Sequence, residues 1–244
     1  MSERSRADRI LVERGFFDSR AAARAAIEAG GVSADGVLVV KPSQLIDVAA
    51  RIEATPAHPY VSRGGLKLSH ALNAFGVDPA DRTCLDIGAS TGGFSDAMLR
   101  RGAARIYAVD VGHGQLHQSI ASDPRMVSLE GTDARRLDRG AVANPPSLVV
   151  CDVSFIGLEK LLARPLSLST AEAELIALFK PQFQVGRAFV GKGGVVTDEA
   201  AADRSAAALS EWLQAAGWPV IGWEPSPITG ADGNKERLLY ARRG

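Results

Sequence analysis

Cysteine, long apolar runs and secretory features are scarce in this chain. Its 244 residues include two cysteines, Cys84 two residues before Asp86 and Cys151 directly before Asp152. Two cysteines are too few for a disulfide framework, so we expect small buried side chains in a reducing compartment. No stretch approaches the roughly 20 apolar residues that span a bilayer, and no apolar segment of the signal-peptide type follows Met1. We therefore expect a cytoplasmic protein with no membrane partner.

An excess of positive charge is also absent. The formal net charge is +0, whereas proteins that bind nucleic acids usually carry a basic surface. The distribution of charge matters more than its sum, however. One basic group near the N-terminus contains Arg4, Arg6, Arg9, Arg14, Arg20 and Arg24, and a second contains Lys180, Arg187 and Lys192. The sequence thus keeps a nucleic-acid partner open.

The first part of the chain predicts a small helix-helix-hairpin module. Apolar spacing indicates helices over about 7–17 and 19–29, the second capped by Asp18 or Ser19 and ended by Gly30-Gly31. Residues 32–40 read as two strands joined by an Asp-Gly turn. This module is too small to bury much apolar surface.

Prolines separate this module from the rest of the chain. Pro56 and Pro59 interrupt regular structure within residues 55–60. We therefore predict an N-terminal domain over 1–54, a linker over 55–61 and a larger domain over 62–244.

The larger domain alternates apolar runs with helical stretches. The runs cover 83–87, 105–110, 126–129, 147–152, 174–180, 219–223 and 237–241, and helices are predicted over 93–101 and 197–216. This rhythm predicts an α/β fold with a doubly wound, mostly parallel sheet that binds ligands at the carboxyl ends of its strands.

A glycine-rich turn over Asp86–Phe94 follows the first of these strands. Its glycines are spaced differently from a dinucleotide fingerprint. A near P-loop at Gly186–Lys192 is followed by Gly193 and lacks the hydroxyl residue that holds magnesium. The turn instead resembles the first motif of class I methyltransferases, which implies S-adenosylmethionine as the cofactor. Asp110, at the end of the next strand, would accept hydrogen bonds from ribose hydroxyls.

Charged residues at strand ends form a candidate catalytic group. Asp152 and Lys180 end the fourth and fifth strands of this domain, and Glu236 begins the last. That strand runs antiparallel in this fold, so its start lies at the same edge, and Lys67 precedes the first strand on a helix that can lean over that edge. A ribose hydroxyl needs a base within hydrogen-bond reach, and a neighbouring ammonium and partial burial lower the pKa of a lysine amine. Two lysines and two acids can supply such a base.

A metal site is not predicted. His113 and His117 are four residues apart, but no cysteine or carboxylate converges with them in the sequence. We interpret them as residues on a helix face.

Motifs along nearly the whole chain resemble known families. The arginines and glycines of residues 9–36 resemble the alpha-L RNA-binding motif. The order Lys67, Asp152, Lys180 and Glu236 resembles FtsJ-like ribose 2′-O-methyltransferases. Segments 60–65, 112–116 and 190–196 narrow the resemblance to the TlyA family, many of whose members carry a haemolysin label.

This resemblance implies methylation of cytidine ribose in ribosomal RNA, with ribosomal RNA or subunits as partners, and we expect a monomer. The resemblance also places Asp133 beside the adenine of the cofactor, although family members often carry asparagine where Thr132-Asp133 stands. The residues implied to bind the cofactor are Asp86, Gly88, Ala89, Ser90, Gly92, Gly93, Phe94, Asp110, Val111, Asp133, Ala134 and Asp152. Those expected to bind RNA are Arg4, Arg6, Arg9, Arg20, Arg63, Arg187 and Lys192.

Three other functions fit parts of the sequence. A membrane-lytic protein would need an amphipathic or apolar segment, whereas the most apolar pieces here read as strands. A non-catalytic RNA-binding assembly factor would not need all four candidate catalytic residues. A small-molecule methyltransferase would leave the N-terminal module without a purpose.

Overall fold

The computed structural model describes residues 3–230 and 232–243, and the chain divides into two compact units between Pro59 and Tyr60. The division falls inside the predicted linker, and the exact domain bounds stay a prediction. None of the helices in the described part of the chain combines the length and apolar character that crossing a bilayer requires.

The first unit packs two helices against two small sheets. Its elements are β1 (Arg4–Arg6), α1 (Ala7–Glu13), α2 (Arg20–Glu28), β2 (Val32–Ala34), β3 (Val37–Leu38), β4 (Leu45–Asp47) and β5 (Ile52–Ala54). Strands β1 and β4 pair antiparallel, and β2 lies between β3 and β5. Ile10, Leu11 and Ile27 are buried in the core between these elements.

Three predictions for this unit have different outcomes. The hairpin is confirmed, because Asp35 and Gly36 both have positive φ, as a two-residue turn of this type needs. Ser19 caps the second helix by accepting a hydrogen bond from the Ala22 amide. The helix predicted over 7–17 is too long, since α1 ends at Glu13. Gly15 has φ +73°, which ends the helix by a left-handed turn.

The second unit is a seven-stranded sheet with helices on both faces. Its elements are α3 (Gly64–Phe75), β6 (Thr83–Ile87), α4 (Gly93–Arg100), β7 (Arg105–Val109), α5 (Gln118–Ala121), β8 (Met126–Leu129), β9 (Leu148–Cys151), α6 (Leu158–Leu161), α7 (Ala163–Ser167), β10 (Glu174–Phe179), α8 (Glu199–Ala215), β11 (Val220–Pro225) and β12 (Arg237–Arg242). Short 3-10 turns cover Ala134–Arg136, Pro181–Phe183 and Arg187–Phe189.

The strand order is β11-β12-β10-β9-β6-β7-β8, and β12 runs antiparallel to both of its neighbours while the other pairs are parallel. Alternate side chains face opposite sides of the sheet. On β6, Leu85 and Ile87 pack with α6, α7 and α8, whereas Cys84 packs with α3 and α4. The predicted doubly wound, mostly parallel sheet is confirmed.

Candidate active site

Charged residues collect at the carboxyl edge of the parallel strands. Asp110, Asp152 and Lys180 each follow the last residue of a strand directly. Phe179 on β10 pairs with Arg237 on β12, so Lys180 and Glu236 lie at the next position of that ladder. By the alternation of the pleat, these residues lie on the sheet face that packs against α3 and α4. The predicted convergence at one edge follows directly from this topology.

The four candidate catalytic residues form two lysine–carboxylate pairs. Lys67 on α3 donates to a Glu236 carboxylate oxygen, and both side chains are buried. Lys180 Nζ lies 2.6 Å from Asp152 Oδ1, with exposed side-chain fractions of 12% and 20%. A buried charge is tolerated only when it is paired. The second pair is the more accessible to a substrate.

The glycine-rich turn brings the backbone of β6 against Asp152. Gly88 has φ +81°, and a Cβ there would lie 2.5 Å from the Asp152 carbonyl oxygen. The next turn of chain is tied to the neighbouring strand, because the Ser90 amide donates to Asp110 Oδ2 at 2.8 Å. Glycine is therefore required at position 88 both by conformation and by space.

A cavity of about 550 Å³ opens at this edge, within the size range of pockets for small molecules and cofactors. Its lining includes the predicted residues Gly88, Ser90, Asp110, Val111, Asp133, Ala134 and Asp152. The apolar part of the wall comes from Val109, Ile156 and Leu161. The Asp110 carboxylate accepts from the amides of Ser90 and Gly112, which fixes its position.

Asp86 begins the glycine-rich turn, two residues before Gly88, and is fully buried without lining the cavity. Its Oδ2 accepts a hydrogen bond from Ser95 Oγ at 2.7 Å, whereas its Oδ1 has no hydrogen-bond partner. Burial raises the pKa of Asp86 to about 7, and the charges of Asp152 and Asp110 add to the rise. An unsatisfied buried acceptor at the start of the glycine-rich turn fits a ligand that carries a hydrogen-bond donor or a positive charge.

Asp133 stands at the other side of the cavity. It caps the 3-10 turn by accepting from the Arg135 amide at 3.0 Å, and its carboxylate pairs with the Arg135 guanidinium at 2.6 Å. The hydrogen bonds from Arg135 lower the pKa of Asp133. Asp133 is therefore an ionised acceptor, and its proposed contact with adenine stays a prediction.

The remaining predicted cofactor residues lie within the glycine-rich turn and at the start of α4. Ala89 and Phe94 are buried, Phe94 in the core with α3. Gly92 precedes α4 with φ +94°, and at Gly93 a Cβ would lie 2.1 Å from Ser62 Oγ. None of these four residues lines the cavity.

The loop after β9 contributes residues that the sequence did not single out. Ser154 Oγ accepts a hydrogen bond from Lys180 Nζ at 3.0 Å. Phe155 has φ +69° and is 90% exposed, and its ring lies 5.1 Å from that of Phe183. Ser154 and Phe155 both line the cavity. The strand-end position of Asp152 was the only signal that pointed to this loop.

In the first unit, a buried carboxylate organises two of the predicted RNA-binding arginines. Asp8 on α1 is fully buried and accepts from Arg6 at 2.9 Å and from Arg20 at 2.7 Å. The hydrogen bond from Arg6 is the largest cause that lowers the pKa of Asp8. Both arginines stay exposed on their outer side, as do Arg4 and Arg9. Sequence reasoning missed Asp8 because its partners are brought together only by the fold.

The other predicted RNA-binding residues lie on the surface of the second unit. Arg63 donates to the Thr229 carbonyl oxygen at 2.7 Å, which ties the start of α3 to the chain before Glu236. Arg187 and Lys192 are exposed in the glycine-rich segment between β10 and α8. A contact of any of these residues with RNA stays a prediction.

The two histidines considered for a metal have other contacts. His117 caps α5 by accepting from the Ser119 amide, and the His113 ring packs against Gly131. His113 lies in an irregular segment and His117 just before α5, so the interpretation of both as helix-face residues is wrong. Within residues 3–230 and 232–243, no group of three or more His, Cys, Asp or Glu side chains could hold a metal ion.

Comparisons with known proteins place these features in context. The FtsJ-like methyltransferase family matches residues 60–243, and the S4 domain matches residues 5–52. The chain is 43% identical, over 99% of its length and 91% of the relative, to the 16S/23S rRNA (cytidine-2′-O)-methyltransferase TlyA of Mycobacterium tuberculosis. It is 36% identical to Hemolysin A of Brachyspira hyodysenteriae, over 96% and 98% of the two chains.

A solved structure agrees with the sequence matches. A hemolysin-named protein from Streptococcus thermophilus superposes with a TM-score of 0.77 at 34% identity, covering 100% of this chain and 90% of the other. The S4 and methyltransferase matches fall on the two compact units. The chain therefore belongs to the TlyA family, in which an S4 domain precedes an FtsJ-like methyltransferase domain.

Proposed function

We propose that this protein transfers the methyl group of S-adenosylmethionine to the ribose 2′-hydroxyl of cytidine in 16S or 23S ribosomal RNA, or in both. The observation that carries the proposal is the Lys180–Asp152 pair at the edge of the cavity. The printed activity of the Mycobacterium tuberculosis relative, at 43% identity over nearly the full chain, supports the substrate.

The residues of the cavity and of the glycine-rich turn fit the cofactor. Asp110 offers a fixed carboxylate to ribose hydroxyls, and Val109 and Val111 give apolar surface to a purine. Asp86 Oδ1, buried and without a hydrogen-bond partner, suits the ammonium of the methionine part. When bound, S-adenosylmethionine supplies a methyl group that its sulfonium has already activated.

The protein must then provide a base and hold the acceptor. A ribose 2′-hydroxyl is a poor nucleophile at neutral pH, and a base within hydrogen-bond reach removes its proton. In the proposal, Lys180 Nζ takes that proton and Asp152 holds the amine in place at 2.6 Å. The buried Lys67–Glu236 pair fixes α3 against β12 beside them. Holding the hydroxyl in line with the methyl group supplies much of the remaining rate.

An exposed aromatic residue at the rim of the cavity supports an RNA acceptor. Phe155 is held in the left-handed region although it is not glycine, with its ring largely in solvent. Such backbone strain persists at functional sites when the surroundings enforce it. Nucleobases outside a duplex are commonly stacked on aromatic side chains. We assign Phe155 to stacking with a base near the acceptor ribose.

The S4 unit supplies the larger RNA contact in this proposal. Arg6 and Arg20 are held by Asp8 with their outer faces exposed, which suits bidentate contacts to phosphates. We propose that the protein acts as a monomer in the cytoplasm, where ribosomal subunits are assembled. Light scattering after size-exclusion chromatography tests the oligomeric state.

Two lysine–carboxylate pairs beside a cavity favour an enzyme over a non-catalytic assembly factor, because the buried pair is costly to maintain without use. The test is methyl transfer from radiolabelled S-adenosylmethionine to ribosomal RNA that lacks the modification. We expect label in RNA, recovered after nuclease digestion as 2′-O-methylcytidine. Label on a base atom, or none with naked RNA and with both subunits, would contradict the proposal.

A further inference from the structure

Ser154 is the second polar partner of the amine that we propose as the base. Its Oγ accepts a hydrogen bond from Lys180 Nζ at 3.0 Å, while Asp152 Oδ1 lies 2.6 Å from the same nitrogen. Ser154 lines the cavity and is exposed there.

In a neutral amine, the two contacts determine where the lone pair of the nitrogen points. A neutral lysine nitrogen carries two N–H bonds and one lone pair, arranged with the bond to Cε in a tetrahedron. Only the lone pair can accept a proton. The contact with Asp152 Oδ1 is an ion pair without hydrogen-bond geometry, so the hydrogen bond to Ser154 is the contact that gives one N–H a fixed direction. Of the two positions that remain on the nitrogen, the Asp152 carboxylate attracts the second N–H and leaves the other to the lone pair. With a single partner, the amine turns about its Cε–Nζ bond and the lone pair has no fixed direction.

We propose that Ser154 is a positioning residue whose hydroxyl, together with Asp152, aims the lone pair of Lys180 at the acceptor hydroxyl. The inference rests on the proposed function and deepens it. The proton moves from the ribose oxygen to Lys180 Nζ as that oxygen bonds to the methyl carbon and the sulfonium bond breaks. Ser154 itself gains and loses no proton.

The backbone on both sides of Ser154 is fixed by contacts of its own. The Asp152 amide donates to the Ile87 carbonyl at 2.9 Å, which continues the β6–β9 ladder past the end of β9. On the other side, Phe155 is held at positive φ against Phe183, three residues after Lys180. The loop that carries Ser154 is thus tied to the loop that follows Lys180. A hydroxyl held in this way has the fixed placement that orientation of a base demands.

The charged and titratable groups around Lys180 come from three strands and from α3, whose Lys67 pairs with Glu236. Asp152 and Cys151 belong to the end of β9, Asp86 belongs to β6, and Glu236 precedes β12 opposite Lys180. A change in rate measured at a single pH could therefore arise because the substitution alters the ionisation of Lys180 or of one of these neighbours. The test must separate ionisation from orientation, which a full pH profile does.

Ser154→Ala and Ser154→Thr are compared with the wild type, and Ser122→Ala serves as the control because that exposed hydroxyl bonds only within its own helical turn. We expect the Ala variant to lose roughly 10- to 100-fold in kcat, less than the roughly 100- to 10,000-fold that a general base contributes, because the base is still present but no longer oriented. The loss should persist at alkaline pH, where activity no longer rises. The KM for RNA and the Kd for S-adenosylmethionine should stay within about twofold, and the Thr variant should keep near wild-type kcat.

Three results would overturn this role. They are a wild-type kcat in the Ala variant, a loss that alkaline pH restores, and an equal loss in the Ala and Thr variants. A readout without substrate keeps this test separate from the proposed function. The 15N signal of Lys180 Nζ should shift in Ser154→Ala and not in Ser122→Ala, and an unmoved signal would refute the contact. A wild-type product methylated on a base would instead refute the proposed function alone.

Discussion

Lys67 and Glu236 are 169 positions apart in the chain, yet they form an ion pair in which the side chains are 10% and 3% exposed. The pair joins α3 to the start of β12, beside the base that we propose. Removing one member leaves the other as an uncompensated buried charge, whereas replacing both by apolar residues removes the charge altogether.

We predict that Lys67→Met lowers the unfolding free energy of the methyltransferase unit by about 3–5 kcal/mol, and that Lys67→Met with Glu236→Leu recovers most of that loss. Both variants should lack full activity. Chemical denaturation followed by tryptophan fluorescence measures the stabilities. A double variant as unstable as the single one would show that the pair does not act as a buried charge pair.

Gly88→Ala tests the close approach of the glycine-rich turn to Asp152. The added Cβ would lie 2.5 Å from a backbone oxygen and would displace the chain that holds Asp152. We expect loss of S-adenosylmethionine binding and of activity. Gly76→Ala is the matched control, since Gly76 also has positive φ but no atom within 4 Å of its added Cβ. It should cost only about 1–2 kcal/mol of stability, the cost of a left-handed conformation for a residue with a Cβ, with binding intact. Similar behaviour of the two variants, by calorimetry, would count against the close approach.

Asp86→Asn tests the buried acid at the start of the glycine-rich turn. An acid with a raised pKa binds its proton more tightly in the folded state, so its contribution to stability falls as pH rises. The fall begins near the unfolded value of about 4 and ends near the folded value of about 7. The Asn variant has no such carboxyl group. As pH rises between these two values, the melting temperature of the wild type should therefore fall relative to that of the Asn variant.

The same substitution should weaken S-adenosylmethionine binding by roughly 10- to 100-fold, the worth of a hydrogen bond to a charged group. Asp78→Asn is the control, because Asp78 is exposed. A melting-temperature difference between Asp86→Asn and the wild type that is constant from pH 4 to 8 would contradict the raised pKa. Unchanged binding would contradict the cofactor contact.

Asp8→Asn tests the buried anchor of the S4 unit. Its lowered pKa means that it stabilises the fold above the unfolded value of about 4 and that this contribution is lost as pH falls below it. We expect a lower melting temperature for the first unit at pH 7, with less acid dependence. Affinity for ribosomal RNA should fall as well, because Arg6 and Arg20 lose their fixed orientation.

Glu53→Gln is the control for Asp8, since Glu53 pairs with Arg51 in the same unit, both side chains are exposed, and Arg51 is not among the arginines expected to bind RNA. Exposed pairs contribute little, so melting and RNA affinity should stay near wild type. Salt-dependent filter binding measures the affinity. An equal effect of the two substitutions would argue that Asp8 is no more than a surface charge.

Much of the second unit could be predicted from the sequence because its strands are short apolar runs that end in a charged residue. Asp110, Asp152 and Lys180 were located in this way, and parallel topology then brings them to one edge. The three-residue strands β1, β4 and β5 were missed, since their mixed polarity carries no periodic signal.

The roles of Ser154 and Asp8 could not be predicted from the sequence either, and the reason is a different one. Ser154 is an ordinary loop residue until the fold brings it to Lys180, 26 positions away. Asp8 looks like a solvated helix residue until Arg6 and Arg20 enclose it. Side chains that act through tertiary contacts leave no local pattern in the sequence.

The central claim, that Lys180 is the base for ribose methylation, is tested most directly by Lys180→Met beside Lys160→Met, whose lysine is exposed on α6. Both variants are incubated with S-adenosylmethionine and unmodified ribosomal RNA, and digested nucleosides are quantified by mass spectrometry. We expect 2′-O-methylcytidine from the wild type and Lys160→Met, and at least 100-fold less from Lys180→Met, the low end of what a general base contributes, with cofactor binding retained. Undiminished 2′-O-methylcytidine from Lys180→Met would contradict the claim.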